Sequence, residues 1–543
     1  IGLDEDFEIC DDAAKENIIR GLFAKFKIDE EKYDDYFRCI SAVKLSSSGG
    51  ILKSNFKDIQ IFCRFYNEYN KYLRSNNLID YDDMLACALK ILGSNAEIRR
   101  YYQNLCRYII EDEAQDSTEV QQKLLQILSE KHGNLVRCGD INQSVTSTFT
   151  NAAPEGFKNF IKQNPNAQMS SSQRCAKPVY TLANEFIKEA SKDSDAFFDI
   201  QMTGTDKNPE TDKKPEYIIF ETEKQEKKFI LETVKSIKNE NPAASIAVLL
   251  RLNTQVNEYC SMFEAENIKT YILNGSIAQK SIYKIIYTML KIIQNPFNNN
   301  VIADFACTAA RIYNLPESSI DFIKSLKTPF IKLNPDELHS EALLQLYFDI
   351  DYHLNNSNEP PDIFALNTGL YYSRTAADKS NAGIISALVK KLMNNDAGAE
   401  ELLIKLDYAA NKGGYKLFDE DDNDAGISIM TMHKAKGSEF DYVFIPYLNE
   451  DNYALSLSSA KLKSGSHFVQ TIKSLAEKTA VKTPDELKKE QINENLRLLY
   501  VGITRAKKGL YFTNAQNYLR RKNTKPLELI ERCIITQAKT NVC

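Results

Sequence analysis

No apolar run in this 543-residue chain approaches the ~18–20 residues needed to cross a bilayer, which excludes a helical membrane span and implies a soluble protein. Cysteine occurs eleven times but never as C-x-x-C, and Cys10, Cys63, Cys138, Cys260 and Cys543 follow no regular spacing. That excludes a disulfide scaffold or zinc ribbon and points to reduced thiols. His132, His339, His353 and His467 likewise lack metal-ligand spacing. Positive charge is not in excess: the formal net charge is −6, so any nucleic-acid surface must be a local basic groove. Neither an initiator Met nor a signal-peptide apolar region opens the chain at Ile1-Gly2-Leu3-Asp4. These two absences imply a cytoplasmic protein and a piece of a longer polypeptide.

What is present is ordinary globular composition, 43% hydrophobic and 26% charged, over a length that predicts several domains. Residues 1–85 read as amphipathic helices, with Ile18, Ile19, Leu22, Phe23 and Phe26 at helical spacing and a polar loop at Ser46–Gly50. Short apolar runs then alternate with helical patterns. Tyr108–Ile110 precedes an acidic cluster and a helix carrying Val120, Leu124, Leu125 and Leu128; Leu135–Cys138 runs into Gly139-Asp140. A polar linker at Thr203–Pro209 leads to strands at Tyr217–Phe220 and Ile246–Leu250, with a helix from Glu223 to Ile237 between them. Residues Ser276–Leu417 are mostly helical, and strand texture returns at Ile427–Met430, Tyr442–Ile445 and Leu510–Thr513. The pattern predicts an α/β protein with parallel sheets, interrupted by an inserted helical block.

The chemistry is carried by four segments. Ile109-Ile110-Glu111-Asp112-Glu113-Ala114-Gln115-Asp116 delivers adjacent carboxylates at the end of a strand, where open parallel sheets bind ligands. In a nucleotide motor Asp112 would hold Mg²⁺ and Glu113 would polarise the attacking water. The plainer reading is an acidic helix start, with Asp116 or Ser117 as cap. Gly139-Asp140-Ile141-Asn142-Gln143 follows the next strand, where Gln143 can sense a terminal phosphate. Thr431-Met432-His433-Lys434-Ala435-Lys436-Gly437-Ser438-Glu439 follows another. The run from Glu494 to Ala506 presents Arg497 and Arg505, either suited to an arginine finger. The Lys-rich stretch Lys461–Lys489 reads as a solvated insertion.

These segments, in this order, resemble superfamily 1 helicases of the UvrD/PcrA/Rep type from about Leu78 to Thr513. Leu78-Ile79-Asp80-Tyr81-Asp82-Asp83 is similar to the family segment preceding the acidic strand, and Arg174 in Ser172-Gln173-Arg174-Cys175 matches its motif IV arginine. The resemblance implies two RecA-like (P-loop NTPase type) parallel-sheet lobes, each with a mainly helical insertion. The implied division is residues 1–85 as the first insertion, 86–168 as the rest of the first lobe, 169–275 and 426–543 as the second lobe, and 276–425 as its insertion. It implies ATP and Mg²⁺ between the lobes, held by Asp112, Glu113, Gln115, Gln143, Arg174, Gly437, Glu439 and Arg505. Glu439 would hold the ribose, and Arg174 and Arg505 would reach the γ-phosphate. Thr431 and His433 would face single-stranded DNA, and Phe149 would stack on it or pack beneath its loop.

Two departures stand out. Gln173 replaces the aromatic that the family stacks on adenine. No G-x-x-x-x-G-K-[ST] occurs, and the nearest imitation, Gly49-Gly50-Ile51-Leu52-Lys53-Ser54, lies in a helical block. The family places that loop upstream, so the chain as given is expected to hydrolyse ATP poorly. The implied activity of the whole protein is 3′–5′ translocation on single-stranded DNA and unwinding at single/double-strand junctions, in repair or recombination. The alternative is a non-catalytic DNA-binding or regulatory remnant.

Overall fold

A computed structural model describes residues 7–10, 12–46, 56–145, 152–266, 277–338, 340–374, 376–393, 399–412, 427–462, 465–519 and 521–540, together with residues 268, 270 and 271. The chain folds as two compact units, Ile1–Tyr271 with Asp424–Cys543, and Ile272–Asn423. It is a mixed helix and parallel-sheet protein.

In the first unit, short strands come in parallel pairs. β1 (Glu8–Cys10) pairs with β2 (Leu78–Asp80), β3 (Ile109–Glu111) with β4 (Leu135–Arg137), and β5 (Ser171–Ser172) with β6 (Thr203–Gly204). Residues 1–85, expected as helices alone, thus hold two strands, and the expected linker at Thr203 begins with one. Elements of two or three residues are too short to show a period.

The larger sheet has six parallel strands: β7 (Glu216–Thr222), β8 (Ile246–Leu250), β9 (Thr270–Tyr271), β10 (Ile427–Thr431), β11 (Phe440–Ile445) and β12 (Ala506–Asn517). Their spatial order is β7-β12-β11-β8-β10-β9. Every residue of β8 is buried, which is why it reads as an unbroken apolar run rather than an alternating one. The crossover helix Glu223–Glu240 starts at a capping box in which the Thr222 hydroxyl accepts from the Gln225 amide.

Helices Asp12–Phe26, Tyr33–Lys44 and Lys57–Ser75 bury Phe23, Tyr36, Phe62, Phe65 and Tyr69 together. The expected solvated insertion at Lys461–Lys489 is corrected here: its helix Ser466–Glu477 sends Ile472 and Ala476 into that same core. Phe468 stacks on Tyr36 at 5.7 Å, and the Ser46 hydroxyl donates to the Ala476 carbonyl at 2.7 Å. Phe468, Val469, Ile472, Leu475 and Ala476 form a helical stripe that the surrounding lysines hide from a composition reading.

The segment expected to precede the acidic strand is an ionic hub. Asp80 caps the helix Tyr81–Ser94 in a box with Asp83. The Lys44 ammonium lies 2.7 Å from Asp80 and 2.6 Å from Asp83, Lys15 lies 3.1 Å from Asp82, and the Tyr69 hydroxyl donates to Asp80 at 2.8 Å. Burial alone would raise the Asp80 carboxyl, but Lys44 and Lys15 reverse that and bring it down to about 2.

Among the described residues of the second unit every regular element is helical, from Ser281–Gln294 to Ala399–Lys412. Ile286, Phe305, Leu346, Phe364, Ile385 and Leu406 are part of its own core.

Candidate nucleotide site

The parallel register of β3 and β4 pairs Glu111 with Arg137, so Asp112-Glu113 and Gly139-Asp140 leave the same end of the pair. The Glu111 carboxylate is held by Arg137 and by the Ser117 hydroxyl, which fixes the strand end without using the two acids beyond it. Asp112 and Glu113 are exposed. Glu113 takes a left-handed backbone, φ 51° and ψ 40°, rare for a residue with a side chain.

Gln115 ties the two strand ends together. It is fully buried, its amide NH₂ donates to Glu113, and its carbonyl accepts from the Asp140 N–H at 2.9 Å. A Cβ at Gly139 would press on that carbonyl oxygen and on the Phe157 ring, so a larger residue here would displace the Gln115 side chain. Gln143 donates to Asp140 at 2.7 Å. Burial pushes the Asp140 carboxyl up, while bonds from Gln143 and the Asn142 amide pull the other way.

Arg505 arrives from the other end of the sequence. It follows the helix Pro484–Ile503 and is almost wholly buried. Its guanidinium donates to the Val501 carbonyl at 3.1 Å, the Ser438 carbonyl at 3.0 Å and the Gln143 side-chain oxygen at 3.1 Å. Burial first, then the nearby Arg174 guanidinium, lowers its pKa to about 10. Arg174 itself pairs with Glu439 at 2.9 Å, and Lys507 holds the other Glu439 oxygen at 2.6 Å. Lys507 and Arg174 together hold that carboxyl below its usual range.

Glu113, Gln115, Asp140, Gln143 and Arg505 therefore share one connected network, and Arg174 and Glu439 sit beside Arg505. Asp112 lies next to it, its carboxylate accepting from the Glu113 N–H at 2.9 Å. Gly437 makes the turn after β10 with φ +82°, a conformation that favours glycine. Thr431 ends β10 and is buried; His433 follows in the turn. Phe149 and the Gly49–Ser54 segment lie outside the described residues. The expectation that Asp116 or Ser117 caps the following helix is corrected: Thr118 caps Glu119–Ser129, and Asp116 pairs with Lys436 instead. The threonine hydroxyl reaches the Gln121 N–H while its own N–H meets the Gln121 side chain, a reciprocity that Asp116 and Ser117 cannot offer from one or two residues earlier.

Residues 1–165 match the UvrD/REP helicase N-terminal domain, and residues 168–344 and 386–517 match the UvrD-like helicase C-terminal domain. The chain belongs to the UvrD-like helicase family. Its relatives include the ATP-dependent DNA helicase PcrA of Staphylococcus aureus, 25% identical over 557 positions, which cover 95% of this chain and 70% of that protein. PcrA of Staphylococcus epidermidis is 24% identical over 553 positions, with the same coverage of each chain.

Three features of this UvrD-like site escape sequence reasoning. Both candidate fingers donate to main-chain carbonyls, but Arg497, on Ser144 at 2.6 Å and Ala196 at 3.3 Å, lacks the bond to Gln143 that Arg505 makes. Asn142 exchanges two hydrogen bonds with the Phe198 backbone, 3.0 and 2.8 Å. Lys436 reaches Asp116 and lies 3.8 Å from Glu113. The Arg497 and Asn142 partners are main-chain atoms, which leave no trace in a sequence; a lone lysine between two motif residues was the only available signal for Lys436.

Proposed function

We propose that this protein is an ATP-dependent DNA helicase that couples hydrolysis to 3′–5′ movement on single-stranded DNA and to unwinding at junctions, in repair or recombination. The observation that carries the reading is the reach of Arg505 to Gln143, and through Asp140 and Gln115 to Glu113. Groups from distant parts of the sequence thereby bracket one acidic strand end.

The reading divides the chain into two RecA-like lobes, 86–168 and 169–275 with 426–543, with mainly helical insertions at 1–85, which also carries β1 and β2, and at 276–425. Exposed hard oxygen donors at Asp112 and Glu113 fit a divalent ion whose shell the triphosphate completes. Asp112 would hold Mg²⁺, which when bound neutralises charge on the phosphate oxygens. Glu113 orients and deprotonates the attacking water, Gln143 senses the terminal phosphate, and Arg505 and Arg174 meet the charge that develops on it. Glu439 holds the ribose once Arg174 turns to the phosphate, and Thr431 and His433 couple the strand to this chemistry.

The test is DNA-stimulated ATP hydrolysis by the full-length gene product. Arg505→Ala lowers kcat by ~10³-fold or more, and Glu113→Gln abolishes turnover while nucleotide binding persists. A loss of only a few-fold in both variants removes these residues from the chemistry. DNA binding by a wild type that never hydrolyses ATP makes the protein a DNA-binding remnant.

A further inference from the structure

Lys436 lies in the loop that joins β10 to β11, and its side chain is 14% exposed. Its ammonium pairs with Asp116 and stands 3.8 Å from the Glu113 carboxylate. Both acids belong to one tight turn, Ala114–Asp116 with Glu113 before it, closed by the Asp116 N–H donating to the Glu113 carbonyl at 2.9 Å. A side-chain-bearing residue stays left-handed only where its surroundings over-determine it. The Ala114 N–H on the Cys138 carbonyl at 2.8 Å, the Gln115 amide on Glu113 and the Lys436 ammonium supply that constraint. The first two come from the β3–β4 pair and its turn, whereas Lys436 comes from the larger sheet. One residue later Gly437 reverses the chain, and the next carbonyl, Ser438, receives Arg505. A single loop therefore sets a cation on the acidic turn and the anchor of the arginine that meets Gln143.

We infer that Lys436 is a positioning residue for Glu113. It pins the acidic turn through Asp116 and faces the Glu113 carboxylate with positive charge, so the direction of that carboxylate depends on the seating of the β10–β11 loop. Movement of the loop, which also carries His433, changes hydrolysis by releasing Glu113. The inference rests on the hydrolytic reading of Glu113.

The test uses the full-length protein with Lys436→Met, Asp116→Asn, both together, and Lys436→Arg. Lys436→Met lowers kcat by about 10²-fold, as misplacement of a reacting group does, while the KM for ATP and the affinity for a fluorescent ATP analogue move less than about three-fold. Asp116→Asn has a smaller effect of the same kind and adds nothing in the Lys436→Met background, because both remove one tether. Lys436→Arg keeps most of the activity. If Lys436→Met melts early, the reversed pair Lys436→Glu with Asp116→Lys replaces it, and recovers activity relative to Lys436→Glu alone. Turnover of Lys436→Met within about two-fold of wild type, losses that multiply in the double variant, or a reversed pair no better than Lys436→Glu each overturn the proposal. A wild type without DNA-stimulated hydrolysis overturns the hydrolytic reading and this inference with it, whereas an active wild type indifferent to position 436 overturns this inference alone.

Discussion

The acidic turn and the arginine that meets its network rest on two differently clothed parallel sheets. In the six-stranded sheet, β8 is buried along its whole length between neighbours on both sides. In the β3–β4 pair, the apolar Ile110 and Val136 are 74% and 55% exposed, and Tyr108 beside them is 80% exposed. Parallel sheets persist when both faces are covered, and two strands alone are marginal. The comparison says that an unbroken apolar run marks a strand covered on both faces. The arginine side of the site stands on that buried platform, and the acidic turn is fixed by the contacts of Gln115.

The largest expected effect tests the platform. Val248→Asp places an unpaired charge in fully buried β8 and costs more than about 4 kcal/mol, seen as loss of cooperative unfolding or of soluble protein. Stable Val248→Asp protein would break the contrast. Next, the N-terminal helices supply a rigid spot of their own. Lys44→Met leaves Asp80 with Lys15 alone and Asp83 without its ammonium partner in a buried hub, and costs about 3 kcal/mol in denaturant melts.

The helical unit adds a titrating core to the comparison. Burial lowers His353 from 6.5 to about 4, against the pull of Asp349. A depressed histidine is neutral in the fold while the unfolded chain takes up a proton, so stability is full above pH ~6.5 and falls as pH drops toward about 4. At ~1.4 kcal/mol per pH unit the loss approaches ~3 kcal/mol. Melts at pH 7.5 and 5 capture about 2 kcal/mol of it, and His353→Gln flattens the dependence.

Much of this was readable beforehand where long-range physics leaves a local mark. Buried β8 shows as Ile246–Leu250, and the acidic pair shows as charge after an apolar run. The family resemblance implies that Gln143 and Arg505 serve one nucleotide, and the structure brings their side chains to 3.1 Å. The three-residue strands β1 and β2 were not visible, because three residues carry no period. The helix Ser466–Glu477 was masked by its lysines, and Lys436 gains its meaning only from a turn some 320 positions earlier. Arg497 and Arg505 both donate to backbone carbonyls that no sequence shows, and it is Arg505 that also reaches the Gln143 side chain.

The hydrogen bond from Ser46 to Ala476 spans 430 positions. The N-terminal helical core therefore remains open during translation until Ile472 and Ala476 have cleared the ribosome. For most of that time its aromatic cluster waits for a cover made some 400 residues later, and the order of synthesis sets when this region can first become native.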